Sequence, residues 1–112
     1  MAVWLKTGGF CWYCGKPLVH DECHIDHVIP RASEGGNDID NLVPCCKPCN
    51  SSKHSRSVEE YRVYLLRKAL FKATGIMLTS NEAYGAFVRF CAINAKHFDL
   101  PTHLFYFETR RL

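Results

Sequence analysis

Two Cys-x-x-Cys pairs constrain this chain more than any other feature: Cys11-Trp12-Tyr13-Cys14 and Cys46-Lys47-Pro48-Cys49. Two residues between thiols let both sulfurs face one ion from a tight turn. Two such turns complete the tetrahedral four-sulfur shell that zinc prefers, with bonds of about 2.3 Å. The spacing therefore predicts a structural zinc held by Cys11, Cys14, Cys46 and Cys49. A redox dithiol would account for one pair but not two, and the strand–helix pattern around a thioredoxin-type motif is missing. A finger built from Cys11, Cys14, His24 and His27 needs a His-x-x-His spacing shorter than usual, and it orphans Cys46 and Cys49. Cys45 in place of Cys46 gives a looser knuckle, so Cys46 is preferred. Cys23, Cys45 and Cys91 are expected to be small buried hydrophobes.

The cysteine count bears on setting. Seven cysteines is an odd number, and the first residues lack a basic segment followed by an apolar one. Both points argue against a secreted disulfide framework and imply a cytoplasmic protein without a signal peptide. The 112 residues are the size of one domain, and 47% hydrophobic content excludes disorder. No stretch of about 20 apolar residues is present, so no membrane contact is expected.

Charge is unevenly placed. Residues 1–56 carry six Lys/Arg and six Asp/Glu, whereas residues 57–112 carry eight and five, so the whole net +3 lies in the second half. Six of the seven cysteines and four of the six histidines lie in the first half.

The residue pattern predicts short strands over Lys16–His20 and His24–Ile29, with a turn at Asp21-Glu22. Pro30 ends the second strand, residues 31–38 form a loop around Gly35-Gly36, and Leu42-Val43-Pro44 re-enters the core. A short helix starts at the second knuckle and carries Asn50 to Lys53. Ser57-Val58-Glu59-Glu60 is a capping box, with Ser57 as N-cap. It opens a helix with stripes Tyr61/Leu65/Ala69 and Leu66/Leu70/Ala73 that ends at Gly75. Thr79-Ser80-Asn81-Glu82 is a second box, before a helix bearing Tyr84, Phe87, Val88, Cys91 and Ala95 on one face. Leu104-Phe105-Tyr106-Phe107 is expected to be a strand or buried extended segment.

Between the knuckles, Asp26 and His27 are neighbours at the end of a strand. A carboxylate can hold a hard cation through oxygen. An imidazole, with a pKa of about 6.5, can take a proton from water at neutral pH. Asn50 follows the last zinc ligand, so the metal shell fixes its position, and its amide oxygen suits Mg²⁺. This combination suits metal-assisted hydrolysis, whereas Asp26-His27 taken alone reads rather as a surface ion pair.

The stretch from Cys11 to Lys53 resembles the HNH endonuclease family. It carries the C-x-x-C-G opening, the Asp26-His27-x-x-Pro30 strand, the Gly35-Gly36 loop, the Asp40-Asn41-Leu42 segment and the C-x-x-C-N-x-x-K close. The resemblance implies an α+β fold: a small ββα-metal motif pinned by a four-cysteine zinc site, followed by two α-helices and a short C-terminal strand. It treats the chain as a single HNH nuclease domain, 1–112, with the catalytic zinc-pinned motif at about 11–56 and a helical extension at about 57–112.

The resemblance also assigns roles. His27 matches the general base and Asp26 the carboxylate that binds the catalytic cation. Asn41 matches the central asparagine, which ties the loop to the strand. Asn50 matches the third position as a second ligand, favouring Mg²⁺ or Mn²⁺ over Zn²⁺. The implied reaction is hydrolysis of DNA to 5′-phosphate and 3′-hydroxyl ends, one strand at a time. The partner is DNA, without a membrane, and the source is bacterial or phage. His24, two residues before Asp26 and on the same strand face, is a candidate DNA contact, as are Lys53, His54 and Arg56 after the site helix. Two other functions remain open: a zinc-stabilised nucleic-acid-binding module without catalysis, and a nuclease subunit of a larger phage-packaging or defence assembly.

Overall fold

The computed structural model describes residues 2–94 and 100–111. The chain divides into two compact units: Met1–Val58 with Leu104–Leu112, and Glu59–His103. Among the described residues, no helix is long and apolar enough to cross a membrane.

In the first unit, β1 (His24–His27) pairs antiparallel with β2 (Leu42–Cys45), with Asp26 opposite Val43 and His27 opposite Leu42. Both strands have only four residues, and β2 is buried along most of its length. The loop between them is shaped by short 3₁₀ turns at Arg31–Ser33 and Ile39–Asn41. Gly35 has no alternative in this loop, because an added Cβ would lie 1.7 Å from the Ile29 carbonyl oxygen. Helix α2 (Lys47–Lys53) starts directly after the Cys46 N-cap, with Pro48 in its first turn, where the missing N–H costs nothing. It lies against β1. A short α1 (Ala2–Leu5) lies against β2.

Two expectations are corrected in this unit. Lys16–His20 is not a strand, and β1 pairs with β2 rather than with it. The turn at Gly15 (φ 78°) sends residues 16–18 back along residues 9–11 instead. Cys11 N–H donates to the Lys16 carbonyl (2.8 Å) and Leu18 N–H to that of Gly9 (2.7 Å), with one isolated bridge, Phe10 to Pro17. Pro17 has no N–H with which to extend a ladder.

The C-terminal strand is likewise absent. Phe105 is extended, but residues Tyr106–Thr109 form a helical turn. A helix N-terminus leaves its first N–H groups without internal partners. Here the first knuckle accepts them: Tyr106 N–H donates to the Tyr13 carbonyl (2.8 Å) and Phe107 N–H to the Trp12 carbonyl (2.9 Å). The Glu108 carboxylate accepts the Phe105 N–H at 2.9 Å. Trp12 stacks on Phe107 with centroids 5.0 Å apart, and Tyr13 meets the buried Phe105 edge-on at 5.4 Å.

The second unit is helical, with the long α3 (Val58–Thr74) and α4 (Asn81–Asn94). Ser57 directly precedes α3, and Gly75 ends it in the left-handed region (φ 78°), its N–H returning to the Phe71 carbonyl. The connection is held by side chains. Arg67 donates to Asn81 Oδ1 (3.0 Å) and to the Leu78 carbonyl (3.1 Å), and Asn81 donates to the Glu60 carbonyl.

The N-cap of α4 is Ser80 rather than Thr79, since Ser80 Oγ accepts the Ala83 N–H at 3.0 Å. Tyr61, Leu70, Tyr84 and Cys91 are buried, and Leu65, Leu66, Phe87 and Val88 half-buried. Ala69 and Ala73, expected on the buried stripes, are exposed. Ala95 lies outside the described residues.

Candidate active site and zinc centre

The four predicted ligands converge. The sulfurs of Cys11, Cys14, Cys46 and Cys49 all lie within 4.8 Å of one another, and Cys14 and Cys46 are 3.7 Å apart. Tetrahedral bonds of about 2.3 Å require sulfurs about 3.8 Å apart, so the set fits zinc in both donor type and size. Cys46, not Cys45, belongs to it; Cys45 is fully buried next door, where burial raises its thiol pKa. His24 and His27 are not part of the cluster.

The backbone already prepares the shell for negative charge. Cys11 Sγ accepts from the N–H groups of Cys14 (3.5 Å) and Cys46 (3.4 Å). With the Cys49 thiol as the main cause and these N–H groups adding, Cys11 is drawn down to about 4 against the effect of burial. Cys14 is pushed up to about 11, chiefly by burial.

Beside this centre lies an open cleft of about 250 Å³ lined in part by Asp26, His27, Arg31, Asn50 and His54. β1 supplies Asp26 and His27, and α2 supplies Asn50 one residue after Cys49 of the cluster. Three of the four predicted catalytic residues therefore share one cavity.

Asn41 acts from behind. Its Oδ1 accepts the Ile29 N–H (2.8 Å), while its Nδ2 donates to the carbonyls of Ile29 (3.1 Å) and Gly36 (2.8 Å). One amide thus ties the end of the β1 segment to the glycine loop. That loop carries Asn37, whose Oδ1 accepts from His27 Nε2 at 2.9 Å. With Nε2 carrying the proton, Nδ1 keeps the lone pair and is the basic nitrogen.

Asp26 is only 5% exposed, and one oxygen is fully engaged. Its Oδ2 accepts from the Tyr13 hydroxyl at 2.6 Å and from Lys53 Nζ at 2.9 Å. Burial, and then the adjacent carboxylate, hold the Tyr13 phenol well above its ordinary pKa, so it stays a donor. Lys53 Nζ also donates to the His27 carbonyl at 2.9 Å. Both contacts to the Asp26 carboxylate are made at Oδ2 rather than Oδ1.

The basic candidates divide. Lys53 is 0% exposed, so its expected contact with DNA is corrected: its ammonium belongs to Asp26 and the His27 carbonyl. A lone buried ammonium would be costly, and the carboxylate offsets that cost. His54 does line the cleft, just past α2, with φ at 48°. Arg56 Nη1 donates to the Ser52 carbonyl (2.7 Å), near the end of α2. His24 lines a separate cavity with Glu22, Lys47 and Pro48 rather than the Asp26–His27 cleft.

No spacing or motif singles out Tyr13 or Asn37. Tyr13 is one of two interchangeable-looking positions inside a knuckle, and Asn37 one polar residue in a polar loop. Arg31, in the same polar loop, carries no such signal either.

These features define a small ββα site with a four-cysteine cluster that could hold a metal ion, and a carboxylate, an imidazole and an amide around one cleft. Residues 11–56 match the family model of the HNH endonucleases. The chain is similar to the CRISPR-associated endonuclease Cas9 of Corynebacterium diphtheriae, with 46% identity over 44 residues. It is also similar to that of Actinomyces naeslundii, with 43% over 47 residues. The matches cover 38% and 41% of this chain and 4% of each relative. The crystal structure of the Type II-C Cas9 from Actinomyces naeslundii aligns with a TM-score of 0.49 at 26% identity, over 78% of this chain and 8% of that one.

Proposed function

We propose that the chain is a divalent-metal-dependent DNA endonuclease that nicks one strand per event, with His27 as general base. The observation that carries this reading is the convergence of Asp26, His27 and Asn50 on one cleft beside the four-cysteine centre. Asp26 Oδ1 and the Asn50 amide oxygen would hold a hard cation, Mg²⁺ or Mn²⁺. Such a cation supplies neutralisation of charge at the scissile phosphate and at the departing 3′ oxygen.

The chain's own groups do the rest. His27 Nδ1 takes a proton from the attacking water, while Asn37 holds the ring through Nε2. Asn41 fixes the loop that presents Asn37. Lys53 braces the carbonyl of the base and the carboxylate beside it. The products are 5′-phosphate and 3′-hydroxyl ends. Because the matched relatives are far longer nucleases, we further read the chain as a nuclease module that works within a larger phage or defence assembly.

The test is relaxation of supercoiled plasmid by zinc-loaded protein with Mg²⁺ or Mn²⁺. His27→Ala should cut at least ~10²-fold more slowly. Equal cutting by both proteins overturns the assignment of His27. Tight DNA binding without cutting by the wild type supports the binding-module alternative instead.

A further inference from the structure

The two zinc knuckles each send one side chain to the same carboxylate oxygen. Tyr13 lies between Cys11 and Cys14, and its hydroxyl donates to Asp26 Oδ2 at 2.6 Å. Lys53 lies one helical turn beyond Cys49 on α2, and its ammonium is 2.9 Å from the same atom. Neither contact is made at the surface: Tyr13 is 2% exposed, Asp26 5% and Lys53 0%.

An aspartate on a four-residue strand has little local structure to fix its side-chain torsions. Two donors on one oxygen, one of them charged, restrict the carboxylate to a single orientation. That orientation reserves Oδ1 for the cleft. Because the donors come from different knuckles, the orientation holds only while both knuckles keep their relative position. The zinc shell sets that position, with four sulfurs within 4.8 Å. Lys53 reaches further, since its second bond is to the carbonyl of His27.

Resting on the assignment of Asp26 as a cation ligand, we propose that Tyr13 and Lys53 are positioning residues that couple the structural zinc shell to the catalytic cation site. They touch neither substrate nor the reacting atoms. They act through Asp26, as partners behind a metal ligand do elsewhere, where their removal typically weakens metal affinity 10–100-fold. Tyr13→Phe isolates the effect, because it removes one hydroxyl and keeps the ring that packs on Phe105.

The experiment measures Mn²⁺ affinity by electron paramagnetic resonance on full-length, zinc-loaded protein, without DNA. Four proteins are compared: wild type, Tyr13→Phe, Asp26→Asn and the double variant. Zinc content is measured for each. Tyr13→Phe should weaken Mn²⁺ binding about tenfold at unchanged zinc content. In the Asp26→Asn background it should have no further effect, because the group it acts through has been changed. Wild-type affinity in Tyr13→Phe, loss of zinc from that variant, or fully multiplicative effects in the double variant each overturn the proposal while leaving the nuclease reading intact. Undiminished Mn²⁺ binding by Asp26→Asn overturns the ligand assignment itself, and this inference with it.

Discussion

The two units of this chain are stabilised in different ways. Glu59–His103 is built on helices of 17 and 14 residues, which satisfy most of their own backbone groups. Met1–Val58 with the C-terminal segment relies on two four-residue strands and a seven-residue helix. Elements that short do not hold themselves in place. Their positions depend on cross-links: the thiol cluster, the Tyr13–Asp26–Lys53 set and the three bonds of Asn41. The candidate chemistry sits in this cross-linked unit. A site assembled from short pieces can bring a carboxylate, an imidazole and an amide to one cleft, but each position must be enforced by a side chain.

The sharpest way to break this contrast is to remove zinc. Structural zinc in small motifs contributes on the order of 10 kcal/mol. Chelation or Cys49→Ala should abolish the near-ultraviolet circular dichroism of the Tyr13–Phe105–Phe107 cluster, while most far-ultraviolet helical signal survives. Parallel loss of both signals would mean that α3 and α4 depend equally on the metal.

Lysines of the two units provide the next comparison. Lys53→Ala strands a buried carboxylate and should cost about 3–5 kcal/mol in urea unfolding. Lys68→Ala removes an exposed ammonium 4.7 Å from the Tyr64 ring and should cost about 1 kcal/mol or less. Similar costs would deny the buried ion pair its structural role.

His27→Ala tests chemistry rather than architecture. It should slow plasmid nicking at least ~10²-fold, about 2.7 kcal/mol in the barrier, with the zinc content and unfolding midpoint little changed. The smallest effect belongs to the helical unit. Ser80→Ala removes the cap of α4 and should cost about 1 kcal/mol, read by thermal unfolding, and should leave nicking untouched.

Much of the candidate site is legible in the sequence. The four-cysteine cluster could be read because knuckle spacing is a local property: two residues between thiols define a turn wherever it occurs. Helices α3 and α4 could be read because capping residues and apolar periodicity are also local. The Ser80 cap was missed by one position, since Thr79 and Ser80 are chemically equivalent until a backbone N–H is seen to point at one of them. Lys16–His20 looked like a strand because its residues suit one; the turn at Gly15 pairs it elsewhere. Leu104–Phe107 looked extended for the same reason, but knuckle carbonyls and Glu108 favour a helical turn there.

Lys53 marks the boundary most clearly. As a lysine at the end of a short helix, it reads as a surface cation, and most lysines are. Only the fold shows that it is enclosed with Asp26, a residue 27 positions earlier, and that its charge is neutralised inside the protein. The amino-acid sequence on its own determined which atoms are available: four thiols spaced for zinc, a carboxylate beside an imidazole, and an amide after the last ligand. The tertiary structure decided which of those atoms face the cleft and which hold the others in place. Donor chemistry is fixed by residue type, whereas orientation and burial depend on contacts between residues far apart in the chain.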